Sequence, residues 1–227
     1  AFATWSIVAV DKSTGQIVIA SATCLQQSVF PRVGARDLRD IQAVVVPGRG
    51  AAVCQAALDT SRRNQKLIFA ELEKGTDPAR ILELVKGQDS GFESRQFGIL
   101  DLQGRSVGFS GGTNLPVALA TSGTVGNNIA YQIQGNILAG EAVVHDAARA
   151  LTQARGTVAD RVMAAMEAGD AAGGDRRCTG GKTAYVAYIL IVDKDGKTVY
   201  ISVTDADTKP NESSNPVKTL RLRYDAR

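Results

Sequence analysis

The sequence predicts an α+β sandwich, with helices packed outside two layers of sheet. An apolar strand, an Asp/Gly turn and a second apolar strand recur three times along the chain. Two zones between these repeats carry helical periodicity instead. The resulting order is hairpin, strands, helix pair, hairpin, strand, helix pair, hairpin. Two strand blocks separated by helix pairs bury their apolar faces by stacking sheet on sheet and covering the outside with helices.

The first hairpin runs from Ile7 to Ala20 around Asp11-Lys12-Ser13-Thr14-Gly15, the second from Phe97 to Phe109 around Asp101-Leu102-Gln103-Gly104, and the third from Val186 to Val203 around Asp193-Lys194-Asp195-Gly196. In each, Asp starts the turn by bonding to its own backbone and Gly supplies the positive φ, so these Asp residues read as structural. Further strands are expected at Ala43 to Val46, at Ala51 to Ala56 and between Ala130 and Gln134. Helical spacing covers Thr60 to Lys74 and Asp77 to Lys86, then Gly140 to Ala154 and Val158 to Ala168, each pair split by a glycine. Thr76-Asp77-Pro78 supplies a cap and a first-turn proline, and Lys86-Gly87 is expected to stop its helix. Asp205 to Asn215 reads as a loop before a short basic C-terminal helix.

The chain of 227 residues, 44% hydrophobic and 22% charged, suits one domain spanning 1 to 227 with a well-buried core. A net charge of +3 from scattered basic residues argues against a nucleic-acid partner. No stretch reaches the roughly 18 to 20 apolar residues that cross a bilayer, so no membrane partner is expected. A homodimer is the default assembly. Cys24, Cys54 and Cys178 fit one disulfide and one leftover thiol, or three reduced thiols; Cys24 and Cys54, both at strand ends, are candidates for a bridge. Neither these cysteines nor the single His145 offers CxxC or HxxxH spacing, so no catalytic metal and no cofactor are expected. Cys178-Thr179-Gly180-Gly181-Lys182-Thr183 is not a phosphate loop, because Arg176 stands where the first glycine is required and a strand follows.

His145 lies mid-helix beside Ala and Val and reads as a surface or satisfied residue, which removes a Ser-His-Asp triad. Gly173-Gly174-Asp175-Arg176-Arg177 brings an acid and two guanidinium groups into a tight loop. Arg177 there either clamps a substrate carboxylate or pairs internally with Asp175. In Gln134-Gly135-Asn136 the glycine is expected to turn the chain, and Asn136 either caps a helix or donates to an oxyanion. Ser21 and Gln55 are further polar residues at strand ends.

The beginning of the chain carries the sharpest chemistry. Ala1-Phe2-Ala3 is a small-x-small sequence of the kind signal peptidase reads, directly before Thr4, which suggests a secreted or periplasmic protein. A cut after Ala3 would leave Thr4 with a hydroxyl and a free α-amine of pKa about 7.7 to 8.0, a nucleophile and its base in one residue. While the Ala3–Thr4 bond stands, that nitrogen is an amide with no basicity.

Thr4-Trp5-Ser6-Ile7-Val8-Ala9, Ile19-Ala20-Ser21, Cys54-Gln55-Ala56, Arg95 to Asp101 with Gly104-Arg105, Gln134-Gly135-Asn136, and Ala168-Gly169 through Gly173-Gly174-Asp175-Arg176 together resemble a bacterial domain-of-unknown-function family with the N-terminal-nucleophile (Ntn) hydrolase fold. The resemblance covers roughly residues 4 to 200. It implies a four-layer αββα sandwich, with Thr4 in the nucleophile position and Ser21, Gln55, Asn136, Asp175 and Arg177 around it. The expected activity is that of an amidohydrolase on a small amide or peptide-like substrate. Thr4, Asn136 and Ser21 would be catalytic, and Gln55, Asp175 and Arg177 would bind substrate. Two alternatives stand beside it: a catalytically inactive sandwich that binds a ligand or partner, and an enzyme using one of the three cysteines.

Overall fold

β-Branched and apolar residues on both sides of the Asp11–Gly15 turn build β1 (Thr4–Asp11) and β2 (Gln16–Thr23), which pair antiparallel from Thr4 opposite Thr23 to Asp11 opposite Gln16. Asp11 Oδ1 accepts from Ser13 N at 2.8 Å, and Gly15 takes φ 76°. The computed structural model describes residues 4–114 and 116–227. The expected cleavage after Ala3 lies outside them on its N-terminal side. The remaining strands are β3 (Ala43–Val46), β4 (Gly50–Ala56), β5 (Arg95–Asp101), β6 (Ser106–Ser110), β7 (Leu119–Val125), β8 (Ile129–Asn136), β9 (Val186–Val192) and β10 (Thr198–Val203). The second hairpin is therefore β5–β6 and the third β9–β10, both antiparallel as expected.

The helices are α1 (Leu38–Gln42), α2 (Arg63–Lys74), α3 (Pro78–Gln88), α4 (Ala142–Gln153), α5 (Val158–Ala171) and α6 (Pro216–Asp225). Asp77 caps α3 by accepting from Ala79 N at 2.9 Å, with Pro78 in the first turn. Thr157 and Asp160 form a reciprocal capping box on α5. The expected stop at Lys86-Gly87 is not used: α3 runs through Gly87 to Gln88 and ends at Asp89.

The strands form two antiparallel sheets, a larger one ordered β10-β9-β2-β1-β8-β7 and a smaller one ordered β3-β4-β5-β6. Alternation along β1 assigns its two faces. Trp5, Ile7 and Ala9 join a core with Val144, Met163 and Met166 of α4 and α5, while Val8 and Val10 join Val53 and Leu100 of the smaller sheet. A third core packs Ile68, Leu72 and Ile81 of α2 and α3 on the other face of the smaller sheet, against Phe97 and Ile99. The order is helix, sheet, sheet, helix, an α+β sandwich in which each fully buried large apolar side chain contributes about 1.5–3 kcal/mol.

Among the strands and α-helices, two were not expected. α1 is only five residues long, capped by Asp37, which accepts from Asp40 N. β7 reads Leu-Ala-Thr-Ser-Gly-Thr-Val, is half-buried or exposed along its length, and forms one edge of the larger sheet. The candidate Cys24–Cys54 bridge is corrected: Cys24 bonds to Cys178, with 5.2 Å between their Cα atoms, and Cys54 is a free thiol. Cys54 belongs to β4 of the smaller sheet, whereas Cys24 follows β2 of the larger one. The loop containing Cys178 folds back over Cys24, whose backbone N–H donates to Asp175 Oδ2 at 2.8 Å. Among the described residues no helix is long and apolar enough to cross a membrane.

Candidate functional site

Alternation on β1, β2 and β8 sends Thr4, Ser6, Ser21, Thr23, Gln134 and Asn136 into the layer between the sheets, all of them buried. Gln55 on β4 and Gln96 on β5 meet them from the opposite sheet. Buried amides need partners, and here they find one another. Gln55 Nε2 donates to the Thr4 carbonyl at 3.1 Å and to Gln96 Oε1 at 2.6 Å. Gln55 Oε1 accepts from Ser6 Oγ at 2.7 Å and from Gln42 Nε2 at 2.9 Å. Gln96 is oriented by its own donation to Gly135 O at 2.7 Å and Ser110 Oγ at 2.5 Å, which leaves its oxygen to receive Asn136 Nδ2 at 3.0 Å. Tyr188 OH closes the far side on Gln42 Oε1 at 3.1 Å.

Thr4 is opposite Thr23 on one side and Asn136 on the other, and its hydroxyl donates to Thr23 Oγ1 at 3.3 Å. It lines a small pocket with the buried residues Gln55, Gln42, Leu38, Ile41, Ala56, Asn64 and Phe97 and the half-buried Cys54, residues 57–59, Gln65 and Arg95. Two acceptors in this layer, Asn136 Oδ1 and Gln134 Oε1, are buried without a hydrogen-bond partner among the described residues. Two backbone outliers flank the same residues. Ala56, directly after Gln55, has φ 73°, and Ile137, directly after Asn136, has φ 52°. For residues bearing a Cβ, and most of all for β-branched Ile137, this region costs about 1–3 kcal/mol, a strain that concentrates at functional sites.

Charge is held at the pocket mouth. Burial would raise the Asp59 carboxyl, but hydrogen bonds from Asn64 N and from Ser61, with the Arg95 charge, bring it below its ordinary value. Arg95 is itself paired with Asp89, Nε to Oδ2 at 2.9 Å, and donates to Ala57 O at 2.8 Å. Burial, reinforced by the Asp59 charge, pushes the Cys54 thiol up to about 12, so it is neutral near pH 7. That counts against Cys54 as a nucleophile, and the disulfide occupies the other two cysteines.

The structure thus brings Thr4, Asn136 and Gln55 together, with Thr4 and Gln55 on the pocket wall and Asn136 behind it, bonded to Gln96. Ser21 lies in the same layer opposite Ser6, with its hydroxyl given to Trp5 O at 2.8 Å, and is not on the pocket wall. Asp175 and Arg177 are not on it either. Asp175 Oδ1 accepts from Arg177 N at 3.0 Å, and Arg177 Nη2 meets Oδ2 at 2.8 Å, the internal pairing open to this loop. The expected turn at Gly135 is corrected: β8 continues through Asn136, which caps no helix, and the chain turns at Ile137. His145 is an exposed residue of α4 facing Glu141. Among the described residues no group of three or more His, Cys, Asp or Glu side chains is placed to hold a metal ion. Sequence reasoning missed Gln42, Gln96, Ser6 and Tyr188. Gln96 had a signal, a long amide on the inward face of an otherwise apolar strand; Gln42, on the short α1, had none.

Fold and site define an α+β sandwich with a threonine at the start of an interior strand and a buried amide network around it. The chain belongs to DUF1028, a family of unknown function, whose model matches residues 4–218. It is similar to the crystal structure of protein SPO2555 from Silicibacter pomeroyi, itself assigned to DUF1028, at 25% identity and a TM-score of 0.76, covering 99% of this chain and 85% of that one. No curated protein matches it.

Proposed function

We propose that the protein is an Ntn-type amidohydrolase in which Thr4, once the Ala3–Thr4 bond is cut, attacks a small amide or peptide-like substrate. The observation that carries this reading is the position of Thr4, which begins a strand flanked on both sides and lines the pocket beside Gln55 and opposite Asn136. The freed α-amine takes the hydroxyl proton as Oγ1 bonds to the carbonyl carbon. The amine returns that proton to the leaving nitrogen as the C–N bond breaks. Water then hydrolyses the acyl ester, releasing a carboxylic acid and restoring Thr4.

Asn136 has a second N–H beyond the one given to Gln96, and this is the oxyanion donor. Gln55 orients the Thr4 carbonyl and borders the substrate. Ser21 supports the Trp5 carbonyl, and the Asp175–Arg177 pair holds its loop on Cys24. The Cys24–Cys178 disulfide supports a secreted or periplasmic setting, where such bonds persist.

The test compares protein released with Thr4 first, for instance from a cleavable fusion, with a Thr4→Ala counterpart and with uncut chain on an amide library. Turnover only by the Thr4-first form is the expected result; equal turnover by folded Thr4→Ala protein sinks the assignment. A second reading, a catalytically inactive sandwich that binds a ligand or partner, is favoured by one observation: Thr4 is 1% exposed and hydrogen-bonded to Thr23. It expects an intact Ala3–Thr4 bond in the working protein, which intact mass and N-terminal sequencing read directly.

A further inference from the structure

We infer that the Thr4 pocket selects a short, uncharged aliphatic acyl group of three or four carbons, with the leaving amine held outside. The inference rests on the hydrolase reading for its chemistry, but the pocket's selectivity for an acyl group is a binding property that can be read without turnover.

Size sets the first limit. The space in the pocket open to the centres of water molecules is about 30 Å³. One water needs about 10–15 Å³ on this measure, so the cavity takes two or three non-hydrogen atoms beyond the reacting carbonyl. Lining sets the second. The most buried lining, taken as the deep part, is Leu38, Ile41, Phe97 and Ala56, each at most 7% exposed, with the neutral amides of Gln42, Gln55 and Asn64. No charged side chain lies among the deep residues. Arg95 and Asp59 border the outer part, and both are already engaged, Arg95 with Asp89 and Asp59 with Ser61 and Asn64. A carboxylate or ammonium carried into the deep part would lose its hydration with no opposite charge to meet it.

The direction of the substrate follows from the reaction. In the acyl-enzyme the carbonyl carbon is bonded to Thr4 Oγ1, so the acyl chain stays beside Thr4, whereas the amine departs and needs the open side. The closed side therefore receives the acyl chain. The mouth, bordered by Asp59, Gln65 and Arg95, receives the rest of the molecule.

The experiment has two readouts on the same full-length protein. Propionamide and hexanamide are titrated at up to tens of millimolar while the backbone amide signals of Gln55 to Leu58 are followed by NMR. Propionamide is expected to shift them saturably and hexanamide is not. A folded Leu38→Phe variant, which fills the buried part of the lining, is expected to lose the propionamide response. On Thr4-first protein, N-propionyl amides are expected to exceed N-hexanoyl amides in kcat/KM by at least about 10-fold, the effect of a methylene that a closed pocket refuses.

Equal binding or turnover of the six-carbon compounds overturns the inference and leaves the hydrolase reading standing. Absence of any shift with propionamide overturns it as well. A saturable propionamide response that Leu38→Phe abolishes, with no turnover by Thr4-first protein, upholds the pocket's selectivity and removes the hydrolase reading.

Discussion

At one end of the layer between the sheets, β1 and β2 present Val8, Val10, Ile17 and Ile19 to Val53 and Leu100 of the smaller sheet. At the other end the same two strands present Thr4, Ser6, Ser21 and Thr23, facing Gln55 and Gln96. The strands, their pairing and their depth are shared; only the side chains change. At the apolar end, cohesion comes from area removed from water and tolerates small adjustments of shape. At the polar end each amide holds its neighbour, so stability depends on every partner being present. That end also contains the two acceptors without a partner among the described residues and, at Ala56 and Ile137, the left-handed backbone that directly follows Gln55 and Asn136. A fold selected for stability alone would extend the valines and isoleucines along the whole strand. The departure at one end is where the proposed function is placed.

The comparison breaks first at Gln96. Replacing it with Ala strands the donors of Gln55 and Asn136 and the carbonyl of Gly135, groups that cost about 1–3 kcal/mol each when buried unpaired, so urea unfolding should show a loss of about 4–6 kcal/mol. The apolar counterpart, Ile19→Ala, should lose about 2–5 kcal/mol by transfer and cavity terms. A Gln96→Ala loss smaller than that of Ile19→Ala would mean that water replaces the network and that the two ends are energetically alike.

Removing the disulfide with the double change Cys24→Ser and Cys178→Ser should cost about 2–4 kcal/mol. Hydrogen exchange should place the resulting opening at Thr23 to Leu25 and residues 175–183; a uniform increase across β1 and β2 would contradict a local tie at the polar end. The smallest effect is linked to pH. Burial would raise the Asp89 carboxyl, but Arg95, Asn64 and Gly91 N together hold it below its ordinary 3.8. The folded state then binds this proton less readily than the unfolded chain. Its stabilisation is full above about pH 4 and fades as pH falls through the depressed value. The stability gap between wild type and Asp89→Asn should therefore narrow as pH falls below about 4 in urea titrations. A gap independent of pH would show that Asp89 acts through shape alone.

The three hairpins, the helix pairs and the cap at Asp77 were legible in the sequence because each is decided within a few residues. Asp11 bonds to Ser13 N two positions on, Gly15 relaxes the same turn, and Asp77 meets Ala79 N. Thr4 was legible as a candidate because its chemistry depends on one peptide bond, and Asn136 and Gln55 because they stood in motifs. Everything that depended on distant neighbours was decided by the tertiary structure. β7 forms a strand because β8 pairs with it, although its own Thr, Ser and Gly residues carry little apolar alternation. Gly87 stays helical and Gly135 stays in a strand, so the turns fall at Asp89 and Ile137 instead. Cys24 takes Cys178 across 154 residues because the loop at Asp175 folds onto its backbone. The amide network joins residues 42, 55, 96 and 136 from two sheets and a short helix. Backbone dihedrals and turn hydrogen bonds are local quantities that a sequence carries with it; the partner of a buried amide or a thiol exists only after the layers have stacked.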